Sequence, residues 1–311
     1  MFPKFYDRTL ADKIYLPRYK EIAEEAQPIA HSSNEKTTLF VIDAQIGFCM
    51  PGASLYVKNA ENDIANICEF ILKNVGKLSH LTFSLDTHYA HQIFYPCYWV
   101  NDKGEKPAPY TIISYEDVES GVWRTLQESY SNFAKSYLKQ LEEKGKYKLC
   151  IWDYHTMLGG IDHSLSPLLS ETAFYHCLVK DNQTHFLLKG EHPLSEHYSV
   201  IQPEIRAVYD NDKRLNIGQS RKLYFKEMLN SYDKIFIAGE ASSHCVKATI
   251  EDLYKITKES NDNLISKIYI LEDCMSPIPS IPGVIDFSSI AQEALDGFEK
   301  AGMHVIKSTH I

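Results

Sequence analysis

The strongest constraint on this chain is an alternation of two patterns. Short apolar runs occur at Thr37-Thr-Leu-Phe-Val-Ile-Asp43, Leu81-Thr-Phe-Ser-Leu-Asp86, Tyr147 to Trp152, His185 to Lys189, Lys234 to Gly239, Lys267 to Leu271 and His304 to Ile306. They read as buried strands. Between them lie segments with helical spacing. Residues 61–76 place Ile64, Ile67, Phe70 and Ile71 on one face, with Gly76 as the expected stop. Ser166 to Cys177, His244 to Ile256 and Ser288 to Ala301 read as further helices. Such an alternation predicts an α/β fold, a doubly wound and mostly parallel sheet with helices on both faces. Two stretches break the rhythm. Residues 1–35, with Pro3, Pro17 and Pro28, read as an arm ahead of a domain spanning 36–311. Residues 97–145, turn-rich through NDKGEKPAPY and helical near 125–145, read as an insertion. A lid, an oligomer contact and a surface elaboration with its own small core all fit that insertion.

Composition limits what the fold can serve. Hydrophobic residues make up 44% and charged residues 23% of the 311, enough for a large buried core. The formal charge of -9 gives no broad positive field, which argues against nucleic acid and anionic membranes as partners. No apolar run reaches the ~18 residues of a membrane span. The opening MFPKFYDRTLADKIY lacks the apolar segment of a signal peptide, so a cytoplasmic location is expected. Seven scattered cysteines without a CxxC pair do not form a disulfide framework, and most are expected as buried thiols.

In parallel sheets the ligand crevice lies beyond the carboxyl ends of the strands. Those positions hold Asp43, Asp86 with His88, His155, Lys189 and a loop leading to Cys245. Cys245 opens a helix, where the macrodipole favours a thiolate and unpaired amides can hold an oxyanion. A buried structural cysteine is the commoner fate of such a residue. Asp43 fits a turn as well as it fits a proton acceptor. Lys189 is either solvated or the charge balance of a thiol site. Asp86 and His88, two apart, suit Zn2+, Fe2+ or Mn2+ if a third ligand such as His155 joins them. His91 reads as a surface or supporting residue. His163, His176, His185, His192 and His197 read as structural or exposed.

These residues resemble a known family. Val41-Ile-Asp43-Ala-Gln45-Ile-Gly-Phe48, followed by Pro51-Gly-Ala-Ser-Leu-Tyr-Val57, is similar to the opening motif of nicotinamidases and the wider isochorismatase-like cysteine hydrolases. Asp86-Thr-His88 resembles their metal motif, and Trp152-Asp-Tyr-His155 the segment with the other metal histidine. Lys189-Gly190, with Tyr198-Ser199 nine residues on, resembles their lysine segment, and Gly239-Glu-Ala-Ser-Ser-His-Cys245-Val-Lys-Ala-Thr249 their nucleophile loop. The five motifs span about 40 to 275. The resemblance implies Cys245 as nucleophile, Asp43 as proton acceptor and Lys189 as third member. It implies an oxyanion hole at the amides of Ala241 and Cys245, with Glu240–Ala241 cis. It implies a divalent metal, Zn2+ or Fe2+ with Mn2+ possible, on Asp86, His88 and His155, and a substrate pocket lined by Phe48 and Gln45. A small-molecule amide is the expected substrate, nicotinamide first, in a homo-oligomer. A related hydrolase of ureido or carbamoyl groups and a non-catalytic binding protein on this scaffold are the alternatives. Thr87, Thr156, Ser243 and the length of 97–145 depart from the pattern, and none removes a catalytic group.

Overall fold

The computed structural model describes residues 2–144, 147–210, 213–280 and 286–310. Six strands form one sheet: β1 (Thr37–Ile42), β2 (Leu78–Asp86), β3 (His185–Lys189), β4 (Lys234–Gly239), β5 (Ile268–Leu271) and β6 (His304–Ile306). Their spatial order is β6-β5-β4-β1-β2-β3, and every adjacent pair is parallel. All six residues of β1 are buried, as a central strand covered on both faces requires. The expected doubly wound α/β fold is the one observed.

Seven α-helices of more than five residues are described: α1 (Tyr19–Glu25), α2 (Ala60–Lys73), α3 (Ser131–Lys144), α4 (Pro167–Lys180), α5 (Lys222–Ser231), α6 (Cys245–Ser260) and α7 (Phe287–Lys300). α2 packs against α4, and α5 against α6. α2 stops earlier than Gly76 predicted. Asn74 closes it, its backbone N–H and its side-chain amide both donating to the Phe70 carbonyl at 3.1 and 3.0 Å.

The reading of Tyr147 to Trp152 as a core strand needs correction. Only Leu149–Cys150 is strand, and it pairs antiparallel with Ile112–Ile113 outside the main sheet. Ile151 N–H donates to Thr111 O at 2.9 Å and Trp152 N–H to Phe94 O at 2.9 Å, so this backbone finds its partners in residues 94–113. The stretch expected as an insertion is built around α3, whose Phe133, Ala134, Tyr137, Leu138 and Leu141 are buried in the main core. α3 also packs against a hairpin strand, Ala207–Asp210. Gly145, the last residue of the expected insertion 97–145, lies outside the described residues. Among the described residues no helix is long and apolar enough to cross a membrane.

The strand order reverses between β1 and β4, and such a switch point opens a crevice at the carboxyl ends of the two strands. The close approach there demands glycine at 239. Its φ is +114°, and a Cβ would lie 2.0 Å from the Ile42 carbonyl oxygen.

Candidate active site

The crevice is a cavity of about 530 Å3, open mouth included. Phe48, Asp86, His88, His155, Lys189, Ala241 and Cys245 all line it. Asp43 lies at its floor, fully buried, where β1 ends in a residue with φ of +47°.

Lys189 joins the parts. At the end of β3, with 1% of its surface exposed, its ammonium lies 2.9 Å from Asp43 Oδ2 and 2.8 Å from Asp86 Oδ1. It also donates to the His197 carbonyl at 3.1 Å and lies 3.5 Å from the Cys245 sulfur. Burial works against its charge, but the carboxylates of Asp43 and Asp86 outweigh burial and raise its pKa well above the usual lysine value. Sulfur, carboxylate and ammonium from three strand ends thus meet at one point. Asp43 is held from the other side by the Ser84 hydroxyl, which donates to its Oδ1 at 2.7 Å. Burial raises the pKa of Asp43 in spite of Lys189, which makes it a better proton acceptor than a solvated carboxylate.

Cys245 begins α6, as its motif predicted, but it does not rest as a thiolate. Burial raises its pKa well above that of a free thiol, and the effect of Lys189 is offset by Asp43 and Asp86. The arrangement stores the proton on sulfur and places a base beside it. The Glu240–Ala241 peptide is cis. Among the described residues, neither the Ala241 nor the Cys245 amide donates a hydrogen bond, so both donors are free.

Asp86, His88 and His155 each offer one ligand atom, all within 4.8 Å of one another and buried. His88 Nε2 lies 2.9 Å and His155 Nε2 3.7 Å from Asp86 Oδ2. The far ring nitrogens meet backbone carbonyls, His155 Nδ1 on Asp153 O at 2.7 Å and His88 Nδ1 on Gly190 O at 3.3 Å. Carbonyls accept only, so each Nδ1 carries the proton and each Nε2 keeps its lone pair for the shared point. Two imidazoles and a carboxylate so turned fit a divalent cation of the zinc or iron type. Gly190 is required behind them. With φ of +82°, a Cβ there would lie 2.6 Å from His88 Cε1 and 2.8 Å from Asp86 Oδ1.

Phe48 packs its ring 5.6 Å from that of His155 and walls the cavity. Gln45 does not line it. Its side-chain amide donates to Asp86 O at 2.9 Å and His163 O at 2.8 Å, and its oxygen accepts from Asp86 N–H at 2.7 Å. It fixes the metal-site aspartate from behind rather than touching a ligand. His197 and His163 also serve the site indirectly. His197 Nδ1 accepts from Gly190 N–H at 3.1 Å, and His163 Nε2 lies 2.9 Å from Thr87 Oγ1. Among the cavity residues that sequence reasoning missed are Glu196, Glu240 and His244. The last two stand inside the nucleophile motif and were passed over for the thiol. His244 stacks on Tyr147 at 4.7 Å, and burial lowers its pKa to about 3.

No family model and no curated protein sequence matches the chain. Solved structures do. A nicotinamidase/pyrazinamidase of Acinetobacter baumanii is 20% identical over 89% of this chain and 99% of that one, with a TM-score of 0.56. The yeast nicotinamidase Pnc1p, bound to the inhibitor nicotinaldehyde, is 17% identical over 87% and 99%, with a TM-score of 0.55. At such identities the likeness is one of fold, and this fold is the one the sequence motifs implied.

Proposed function

We propose that the protein is a cysteine amidohydrolase and that nicotinamide, or a close heteroaromatic carboxamide, is its substrate. The carrying observation is the Lys189 ammonium held 2.9 Å from Asp43 and 3.5 Å from the Cys245 sulfur, in a cavity beside two unpaired amides. The fold likeness to nicotinamidases supports the choice of substrate.

In this mechanism Asp43 takes the Cys245 proton as sulfur attacks the amide carbon. The developing oxyanion is received by the N–H groups of Ala241 and Cys245. Asp43 then protonates the leaving nitrogen, ammonia departs, and a thioester on Cys245 remains. Water, deprotonated by the same carboxylate, releases the acid and restores the thiol. Lys189 keeps Asp43 ionised between proton transfers and stays protonated throughout. Asp86, His88 and His155 would hold a divalent metal, which when bound would supply a Lewis acid for a ring nitrogen of the substrate. Phe48 supplies an apolar wall for the ring.

The test is ammonia release from nicotinamide, pyrazinamide and ureido compounds. Activity on the ring amides is expected, with Cys245→Ala lowering kcat/KM roughly 10^4-fold or more. Near-native activity in that variant overturns the mechanism. A ureido compound hydrolysed in preference to both ring amides overturns the substrate assignment. Metal analysis is expected to find about one divalent ion per chain, with chelation costing at least ~10-fold in kcat/KM for the ring amides. Metal-free protein of full activity removes the metal from the reading.

A further inference from the structure

Glu196 is a buried carboxyl that this hydrolysis does not use. It lines the cavity with 5% of its surface exposed. Its Oε1 accepts from Trp152 Nε1 at 3.0 Å and from the Tyr198 hydroxyl at 3.4 Å. Its backbone N–H donates to the Tyr137 hydroxyl at 2.9 Å, tying the residue to α3. The other oxygen, Oε2, takes no hydrogen bond among the described residues and is not one of their buried unpartnered atoms, so it keeps some exposure in a residue that lines the cavity. Burial, helped by the neighbouring carboxylate Glu204, raises the pKa to about 8, so at pH 7 the group carries a proton. Oε1 already accepts two donors, so the proton belongs on Oε2. The result is a donor at the cavity wall that no described protein group pairs, available to a ligand acceptor there.

We propose that Glu196 is a substrate-contacting specificity residue, and that the preferred ring carboxamide carries a second polar substituent that hydrogen-bonds Glu196 Oε2. This rests on the amidohydrolase reading and narrows its substrate class. The carboxamide is committed to Cys245 and the two amides, and a ring nitrogen to the metal residues. An unsubstituted pyridine ring therefore has no acceptor left for Glu196. A hydroxyl or oxo group does, and sites built to hydrogen-bond such a group discriminate strongly against analogues that lack it.

The experiment compares kcat/KM for ring-hydroxylated nicotinamides with that for their methyl counterparts, position by position. Wild type, Glu196→Gln and Glu196→Leu are assayed by ammonia release. In the wild type at least one hydroxylated isomer is expected to exceed its methyl partner by about tenfold or more, which is ~1.4 kcal/mol. Glu196→Leu brings that ratio to within about threefold of one, whatever its absolute rate, while Glu196→Gln, whose amide still donates, keeps most of it. Ratios near one at every position in the wild type overturn the proposal. So does a Glu196→Leu protein in which both members of each pair fall equally, the mark of a structural role. Calorimetric binding of the same pairs to Cys245→Ala separates this proposal from the reading beneath it. If no amide releases ammonia but the hydroxylated member still binds tenfold tighter, the hydrolase reading fails and the Glu196 contact stands. Equal affinities overturn the contact.

Discussion

At the scale of single residues, the chemistry of this crevice depends on atoms that do none of it. Gly190 is the clearest case. Its carbonyl accepts from Gln92 Nε2 at 2.6 Å and faces His88 Nδ1, and its missing side chain leaves room for His88 and Asp86. Gly190→Ala is expected to strain a backbone with φ of +82° and push both metal-site residues apart. Metal affinity should drop by about 10- to 100-fold, the usual cost of disturbing the groups that orient ligands. Metal content after dialysis against a weak chelator measures it, and unchanged retention would show that the site tolerates the shift. The residues that line or floor the crevice were legible, because strand ends in a parallel sheet are few and Asp43, Asp86, Lys189 and Cys245 stand at or just beyond them. Gln45 was misjudged because a motif position says which residue is needed, not which way it faces. Glu196 gave no signal: an acid in a polar segment becomes a buried proton carrier only when Trp152 and Tyr137, from elsewhere in the chain, close over it together with the nearby Tyr198.

At the scale of elements, the central strands β1 and β4 were readable because burial on both faces makes them short apolar runs. Where partners came from irregular segments, the same signal misled. Tyr147 to Trp152 is apolar because it faces the core, yet its hydrogen bonds go to residues 94–113. α5 went unread because only Phe225, Met228 and Leu229 of its ten residues are buried, too weak a stripe to stand out. The opening segment shows a further gap. It reads as polar, but it covers the otherwise buried Glu171 of α4. Arg18 donates from Nε to Glu171 Oε1 at 2.9 Å and from Nη2 to Oε2 at 2.7 Å, and Tyr15 adds a bond at 2.9 Å. Arg18→Ala leaves that carboxylate without a cation, and about 3 kcal/mol of stability should be lost, read by urea unfolding. Replacing both partners, Arg18→Met with Glu171→Leu, should recover most of it, because the loss comes from the stranded charge. A double variant as unstable as Arg18→Ala would place the loss in packing instead.

At the scale of the whole molecule, burial pushes several acids and imidazoles towards their neutral forms. Burial lowers His80 and His176 to about 4 and His244 to about 3, while it raises Asp63 to about 6 and Glu196 to about 8. The two sets act in opposite directions. Each of these histidines binds a proton more readily unfolded than folded, so acidification below about 6.5 favours unfolding through them. Glu196 behaves the other way. Its folded pKa of about 8 lies above its ordinary 4.5, so between those values the native state holds a proton that the unfolded state has released. Stability from this group is therefore lost as pH rises towards 8, by up to ~1.4 kcal/mol per pH unit for one proton. Between pH 7 and 8 the histidines are mostly neutral in both states, and they are common to wild type and Glu196→Gln, so the difference between the two profiles isolates the carboxyl. The expected result is a midpoint in urea that falls from pH 7 to pH 8 in the wild type and falls less in Glu196→Gln, whose side chain keeps its bonds but has no proton to lose. The shallower slope should vanish above pH 8.5, where Glu196 is ionised in both states. Parallel wild-type and Glu196→Gln profiles across that window would mean that Glu196 is already charged at neutral pH, and the donor that the cavity turns towards its ligand would then be an acceptor.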